Sequence, residues 1–423
     1  MTRFGGHRGA IGIAAVITAG LVLAGCGRAA SPTGESSHSP SSPTAPASAP
    51  SAGGTQPPTS SPSGASPVSV RVNVPKHADQ VKVNKVIKVT ATNGTLSKIA
   101  VKGKYVDHGV TKETTIDGTL DESRTTWKAS ELLEPNGRYT VTATGVNADG
   151  QSRTTTTKFE SQALTLDQQI YPAFVSLGKK VGVGAPVVLR FDRPVKDRAE
   201  FERHLRVTST SHQKGSWHWY SDTEVHWRPA HYWKPGTRVT ATAELNSVPA
   251  GSGEYGQRST STSFTVGDSV ITKVNLKTDV AKVYVNGHKA RKIFVSGGKP
   301  STPTSSGTSL ITQKLTDYVM TSEMIGLPKS GPESYRLLAA YAMRITTSGQ
   351  FLHSAPWNTP YFGRVNASHG CVGMSVEDSR WLFERALPGS PVTVTGTDRP
   401  LETGNGLTDW NVDFKTYAEG SAL

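Results

Sequence analysis

The sequence predicts a mainly β, multidomain chain: two tandem β-sandwiches followed by a third β-rich domain with a few helices. Three observations predict it. Apolar and polar residues alternate at period two from Val68 onward, one strand-and-turn segment recurs further along the chain, and a helical spacing of apolar residues appears near residue 380. A length of 423 residues with 35% hydrophobic content is enough to bury more than one core.

Ahead of the sandwiches, Arg3 and Arg8 precede an apolar run from Ile11 to Ala24, followed by Leu23-Ala24-Gly25-Cys26. A charged start, a short apolar stretch and small residues at its end form an export signal. The run is shorter than the roughly 20 residues of a spanning helix. Leu-Ala-Gly-Cys resembles the bacterial lipobox, which implies a lipid on Cys26 and a lipid-anchored, extracytoplasmic protein on the outer face of the cell membrane. Residues 27–67 are almost wholly Ser, Pro, Ala, Gly and Thr, too polar to build a core, and read as a disordered tether. At about 3.1 Å per extended residue it reaches on the order of 100 Å from the membrane.

The first sandwich, residues 68–163, starts with the alternation Val68-Ser69-Val70-Arg71-Val72-Asn73-Val74 and carries turn signals at Asn93-Gly94 and Asp149-Gly150. Trp127 leads to Pro135-Asn136-Gly137-Arg138-Tyr139-Thr140, and Trp227 leads to Pro235-Gly236-Thr237-Arg238-Val239-Thr240. The period, 227 − 127 = 100 residues, is too long for a solenoid and suits one immunoglobulin-like sandwich per repeat. The second sandwich, 164–268, holds Trp217-His218-Trp219-Tyr220, His226-Trp227 and His231-Tyr232-Trp233. Alternation explains these as tryptophans packing inward, and no carboxylate or cysteine stands at ligand spacing, so no metal is expected.

A third domain, 269–396, opens with strands around Asn286-Gly287, a tight-hairpin signal. Near its end Val376, Ser379, Leu382, Phe383 and Ala386 fall at spacings of three and four, with Ser375 as N-cap and Pro388-Gly389 as stop. This helix is expected to follow Cys371 directly.

Lys and Arg number 46 against 33 Asp and Glu, a net charge of +13 spread along the folded chain. Spread charge suits an anionic envelope and argues against nucleic acid, which calls for a concentrated basic face. There are two cysteines, Cys26 and Cys371. With the first lipidated, the second has no partner within the chain, and an exported chain that keeps one free thiol points to a nucleophile. A thiol attacks a carbonyl once an imidazole takes its proton. His353 lies far enough upstream, in Phe351-Leu352-His353-Ser354, to return on a neighbouring strand as general base. His369 is two residues from Cys371 and shapes the turn, while Gly370 lets backbone amides approach an oxyanion.

His353-Ser354 followed by Ser368-His369-Gly370-Cys371 resembles the signature of peptidoglycan L,D-transpeptidases with a YkuD-like catalytic domain. The two immunoglobulin-like domains, and a closing segment with Gly406-Leu407-Thr408-Asp409-Trp410-Asn411, resemble the mycobacterial type. The resemblance implies a catalytic domain of that fold, with residues 397–423 packing on it. It implies Cys371 as the acylated nucleophile, His353 as base and the Ser354 carbonyl as the group orienting the imidazole. His369, Gly370 and Cys371 then line the oxyanion hole, and Met320, Ser322, Tyr335 and Ser368 contact the donor peptide. Where the family usually has Asn two residues after the cysteine, this chain has Gly373.

The expected activity is acyl transfer from a tetrapeptide stem to an acceptor amine, giving 3→3 cross-links without a cofactor. The expected partners are peptidoglycan stem peptides as donor and acceptor, with carbapenem-type β-lactams as covalent inhibitors. The alternatives are hydrolysis of the same stems and a non-catalytic wall-binding lipoprotein.

Overall fold

Alternation in the sequence becomes strand wherever one face can be covered. The computed structural model describes residues 64–423 apart from His108; the export segment, Cys26 and the tether to Ser63 lie outside the described residues. In the first sandwich, Ser69–Val72, Lys88–Thr92, Thr126–Ala129 and Gly118–Leu120 form one sheet. The other comprises Ala78–Val81, Ser152–Ser161, Arg138–Val146, Thr95–Asp107 and Val110–Ile116. Trp127, Tyr139, Val141, Ala143 and Phe159 fill the space between. Asp149-Gly150 closes a hairpin, with Val146 opposite Ser152. Asn93-Gly94 instead carries the chain from one sheet to the other, and a Cβ on Gly94 would overlap the Val146 carbonyl.

The second sandwich repeats this plan. Trp227 lies mid-strand opposite Val187, as Trp127 lies opposite Val89, and both indoles are buried. The turn after each tryptophan needs one residue at positive φ: Asn136 supplies it at 52° and Gly236 at 79°. Asn and Gly are the residues that adopt this region most readily. Trp217, Trp219, Trp227 and Trp233 join one core with Phe191 and Phe201, as the alternation predicts. Among the described residues no three His, Cys, Asp or Glu side chains converge as metal ligands.

In the third domain a five-stranded sheet, ordered His288–Phe294, Val280–Val285, Val270–Asn275, Pro391–Thr395 and Gly307–Leu310, packs near a four-stranded one. The latter runs Gln313–Thr321, Arg336–Arg344, Phe351–Ser354 and Val372–Met374. Asn286 and Gly287, at φ 48° and 86°, make the expected tight hairpin. The helix is Val376–Arg385: the Ser375 hydroxyl accepts the Asp378 amide at 3.0 Å, and Leu382, Ser379 and Ala386 turn inward while Val376 is exposed.

Two expectations change. The helix does not follow Cys371 directly, because the strand Val372–Met374 comes between, so the helix N-terminus is not at the thiol. The segment after 397 does not pack on the catalytic domain alone. Part of it does: Leu401 N donates to Ser306 O at 2.8 Å and Asn411 Oδ1 accepts the Thr308 amide at 3.0 Å. From Asp409 it crosses to the second sandwich, where Trp410 Nε1 donates to Gly184 O at 2.7 Å and Arg228 donates to Val412 O at 3.1 Å. Trp219 N donates to Gly420 O at 2.9 Å. The Arg228 guanidinium lies over the rings of Trp410 and Tyr417, 4.3 Å from each, a contact favoured when both partners are drawn out of water.

Candidate active site

The site grows from strand parity. Phe351–Ser354 is flanked by Arg336–Arg344 on one side and, in parallel, by Val372–Met374 on the other, with His353 opposite Ala342 and opposite Gly373. Leu352, Val372 and Met374 point into the domain core. Phe351 and Cys371 therefore share the opposite face, where both pack with Ala342. His353 belongs to that face as well, and strand spacing sets its backbone about 8 Å from that of Cys371.

His353 is buried, and its Nδ1 lies 2.8 Å from the Ser354 carbonyl oxygen. A carbonyl can only accept, so the proton is on Nδ1 and Nε2 keeps its lone pair. The Trp357 ring stacks against the imidazole at 6.0 Å. Burial pulls the His353 pKa down to about 4, against the Ser354 hydrogen bond, so the ring is neutral. Burial also pushes the partly covered Cys371 thiol up to about 11, opposed by the Phe351 amide and the Arg344 charge. The Cys371 sulfur lies 3.6 Å from the Gly349 carbonyl. Both shifts favour the uncharged pair, thiol and imidazole.

The turn before Cys371 is held from within. Ser368 Oγ donates to Cys371 O at 2.6 Å and accepts the Gly370 amide at 3.1 Å, while Gly370 sits at φ 124°. Ser368 thus braces the turn that presents Cys371, and the Gly370 amide is engaged by that brace in this conformation.

A model of the L,D-transpeptidase catalytic domain matches residues 269–394, and one of the bacterial Ig domain matches 78–249. L,D-transpeptidase 2 of Mycobacterium tuberculosis (strain CDC 1551 / Oshkosh) is 33% identical over 344 residues, 81% of this chain and 82% of that protein. The chain belongs to the L,D-transpeptidase family. L,D-transpeptidase 5 of M. tuberculosis (strain ATCC 25618 / H37Rv) is 30% identical, over 73% of this chain and 68% of that protein. An L,D-transpeptidase solved in complex with imipenem is 34% identical over 53% of this chain and 99% of that one, with a TM-score of 0.46.

In this L,D-transpeptidase the two ends of the segment between Met320 and Tyr335 reach the cluster that holds Cys371. Met320 and Tyr335 pack in one cluster with Phe351 and Cys371, and burial lifts the Tyr335 hydroxyl to about 12. Ser322 is placed differently from an open peptide contact: it is buried, and its hydroxyl donates to Pro328 O at 2.8 Å while its amide donates to Tyr335 O at 3.1 Å. His369 stacks on Tyr335 at 5.0 Å and places Nε2 2.7 Å from Glu333 Oε2. Sequence reasoning missed Glu333, Lys299, Trp357 and Gln350, whose amide group accepts the Ser305 N–H and lies beside Gly370. Glu333 stands two residues before Tyr335 and Trp357 four after His353, so proximity in sequence was the available signal.

Proposed function

We propose that this chain forms 3→3 cross-links in peptidoglycan through acylation of Cys371. The Cys371 proton passes to His353 Nε2 as sulfur attacks the carbonyl of the third residue of a tetrapeptide stem. The tetrahedral intermediate collapses, D-alanine leaves, and its amine takes the proton back from His353. An acceptor amine then attacks the thioester, His353 accepts its proton and passes it to the departing sulfur, and Cys371 is restored as a thiol. The thioester conserves acyl reactivity, so the reaction proceeds outside the cell without ATP or a cofactor.

The observation that carries this reading is the common sheet face of His353 and Cys371, with Nδ1 committed to Ser354 O and Nε2 left to act as base. The Cys371 amide would steady the oxyanion, joined by that of Gly370 once Ser368 Oγ releases it. The same electrophile logic extends to carbapenems, whose strained lactam carbonyl would acylate Cys371. We place the protein on the outer face of the membrane, with lipid on Cys26 and residues 27–67 as the arm that carries the catalytic domain to the wall.

Incubation of the protein and its Cys371→Ala variant with disaccharide tetrapeptides, followed by mass spectrometry, tests the proposal. Cross-linked dimers lost in the variant support it. Tripeptides without dimers would make the enzyme an L,D-carboxypeptidase, and the absence of both products together with no carbapenem adduct on Cys371 would leave a wall-binding lipoprotein.

A further inference from the structure

Two donors beside the Cys371 turn converge on a single carboxylate oxygen. Lys299 Nζ lies 2.5 Å and His369 Nε2 2.7 Å from Glu333 Oε2, and the two nitrogens are 3.5 Å from each other. Hydrogen-bond donors this close repel unless an acceptor, best an anion, sits between them. Their backbones are fixed to the site: Lys299 N donates to Ser368 O at 2.8 Å, Thr302 N donates to Lys299 O at 2.9 Å, and the His369 ring is stacked on Tyr335.

The carboxylate is placed unlike its donors. The Lys299 and His369 side chains are each 26% exposed and are tied to the Cys371 turn through Ser368 and Tyr335, whereas that of Glu333 is 51% exposed. Glu333 belongs to the turn in which Ser334 N donates to Gly331 O at 3.1 Å, two residues before Tyr335 of the Cys371 cluster. The acceptor is therefore a half-exposed side chain, one that another carboxylate can replace while the donors stay paired with an anion.

We propose that Lys299 and His369 form a carboxylate-binding subsite of the donor peptide, and that Glu333 fills it until a substrate carboxylate displaces it. The proposal rests on the acyl-transfer reading of Cys371, which brings a stem peptide to this wall. Beside the reacting bond such a stem offers two carboxylates of the same chemistry, the terminal one of D-alanine and, where the third residue is a dicarboxylic diamino acid, the one on its side chain. Glu333 then acts as a self-ligand: it keeps the donors paired in the resting enzyme and competes with every incoming donor peptide.

The test is calorimetric titration of the Cys371→Ala protein, which binds without turnover, with three tetrapeptides: the free acid, its terminal amide, and the form amidated on the diamino acid. Lys299→Met is expected to weaken the free acid about tenfold, the scale of one charge-assisted hydrogen bond. Lys299→Arg, which keeps the donor and charge, is expected to hold affinity within about threefold. Glu333→Gln is expected to tighten the free acid about threefold or more by weakening the competitor. The amide whose affinity no longer responds to Lys299→Met identifies the carboxylate that is bound. Equal weakening of all three peptides by Lys299→Met, weaker binding of the free acid to Glu333→Gln, or no binding of any peptide would overturn the proposal. Because the readout is equilibrium binding, a wild-type enzyme that yields no cross-linked product counts against the acyl-transfer reading and leaves this result separately legible.

Discussion

His353 stands directly across the parallel strand pair from Gly373, the position where the family usually carries Asn. A Cβ there would meet Ala355 Cβ at 3.0 Å and then the Ser296 carbonyl and Phe362 ring at 3.7 and 3.8 Å. Its backbone is not in the left-handed region, so alanine can adopt it. Lower entropy of the unfolded chain favours Gly373→Ala by about 0.4–1 kcal/mol, and the tight Ala355 contact opposes it. The expected outcome is a change in urea unfolding free energy within about 1 kcal/mol, with Cys371 still acylated. A loss above about 3 kcal/mol would mean that the space beside His353 is closed to any side chain.

A neutral thiol–imidazole pair makes a definite pH signature. With His353 at about 4 and Cys371 at about 11, carbapenem acylation is expected to fall only below about pH 4–5, where the imidazole gains a proton and stops acting as a base. Alkylation of Cys371 by iodoacetamide should go on rising above pH 9, because the thiolate population is still growing there. Alkylation that levels off near neutrality would instead reveal a preformed thiolate–imidazolium pair.

The second sandwich and the C-terminal segment share a buried charge cluster. His226 Nδ1 and Nε2 lie 2.8 Å from Asp409 Oδ1 and Glu224 Oε1, so both nitrogens donate and the ring is an imidazolium. Burial alone would lower the His226 pKa, but the two carboxylates outweigh it and raise it to about 9. The His226 hydrogen bond leads in holding Glu224 down at about 2. A raised histidine contributes its full stabilisation below about pH 6.5 and loses it through pH 9; a depressed glutamate contributes above about pH 4.5 and loses it toward pH 2. Thermal stability should therefore peak between about pH 4.5 and 6.5. Asp409→Ala, which removes one of the two carboxylates that hold the buried imidazolium and leaves its Nδ1 unpaired, is expected to cost about 3–5 kcal/mol and to flatten the alkaline limb. An unchanged alkaline limb in that variant would rule out this cluster as its source.

What was readable in the sequence and what was not divides by distance along the chain. The strand alternation, the Trp127/Trp227 repeat, the Asn286-Gly287 hairpin and the Ser375 cap are local patterns, and each of them formed. That His353 and Cys371 come to one sheet face was readable because a compact motif holds both. The contact of Asp409 with His226 joins residues 183 apart, and that of His369 with Glu333 joins residues 36 apart. No periodicity links such partners, so the crossing of the C-terminal segment to the second sandwich and the carboxylate held by Lys299 and His369 emerged only from the packed chain. The strand Val372–Met374 was missed for another reason: three residues are too few to show alternation, and pairing with Phe351–Ser354 decides their conformation.

The second sandwich meets the catalytic domain backbone to backbone at two glycines, and that contact separates two kinds of glycine. Gly182 N donates to Pro388 O at 2.8 Å and Gly184 N to Gly389 O at 3.0 Å. A Cβ on Gly182 would overlap the Ser390 amide, a backbone atom that cannot swing aside. Gly182→Ala is therefore expected to cost about 1–3 kcal/mol in urea unfolding and to expose the 388–390 link to protease. Gly236 is required for a different reason: its φ of 79° is strained for most residues, yet nothing lies within 4 Å of its Cβ position. The equivalent turn of the first sandwich meets the same demand with Asn136, so Gly236→Asn should be tolerated within about 1 kcal/mol while Gly236→Val should cost more. If Gly182→Ala proved as mild as Gly236→Asn, the two domains would have to be free to shift apart at this contact, and close backbone approach would not be what joins them.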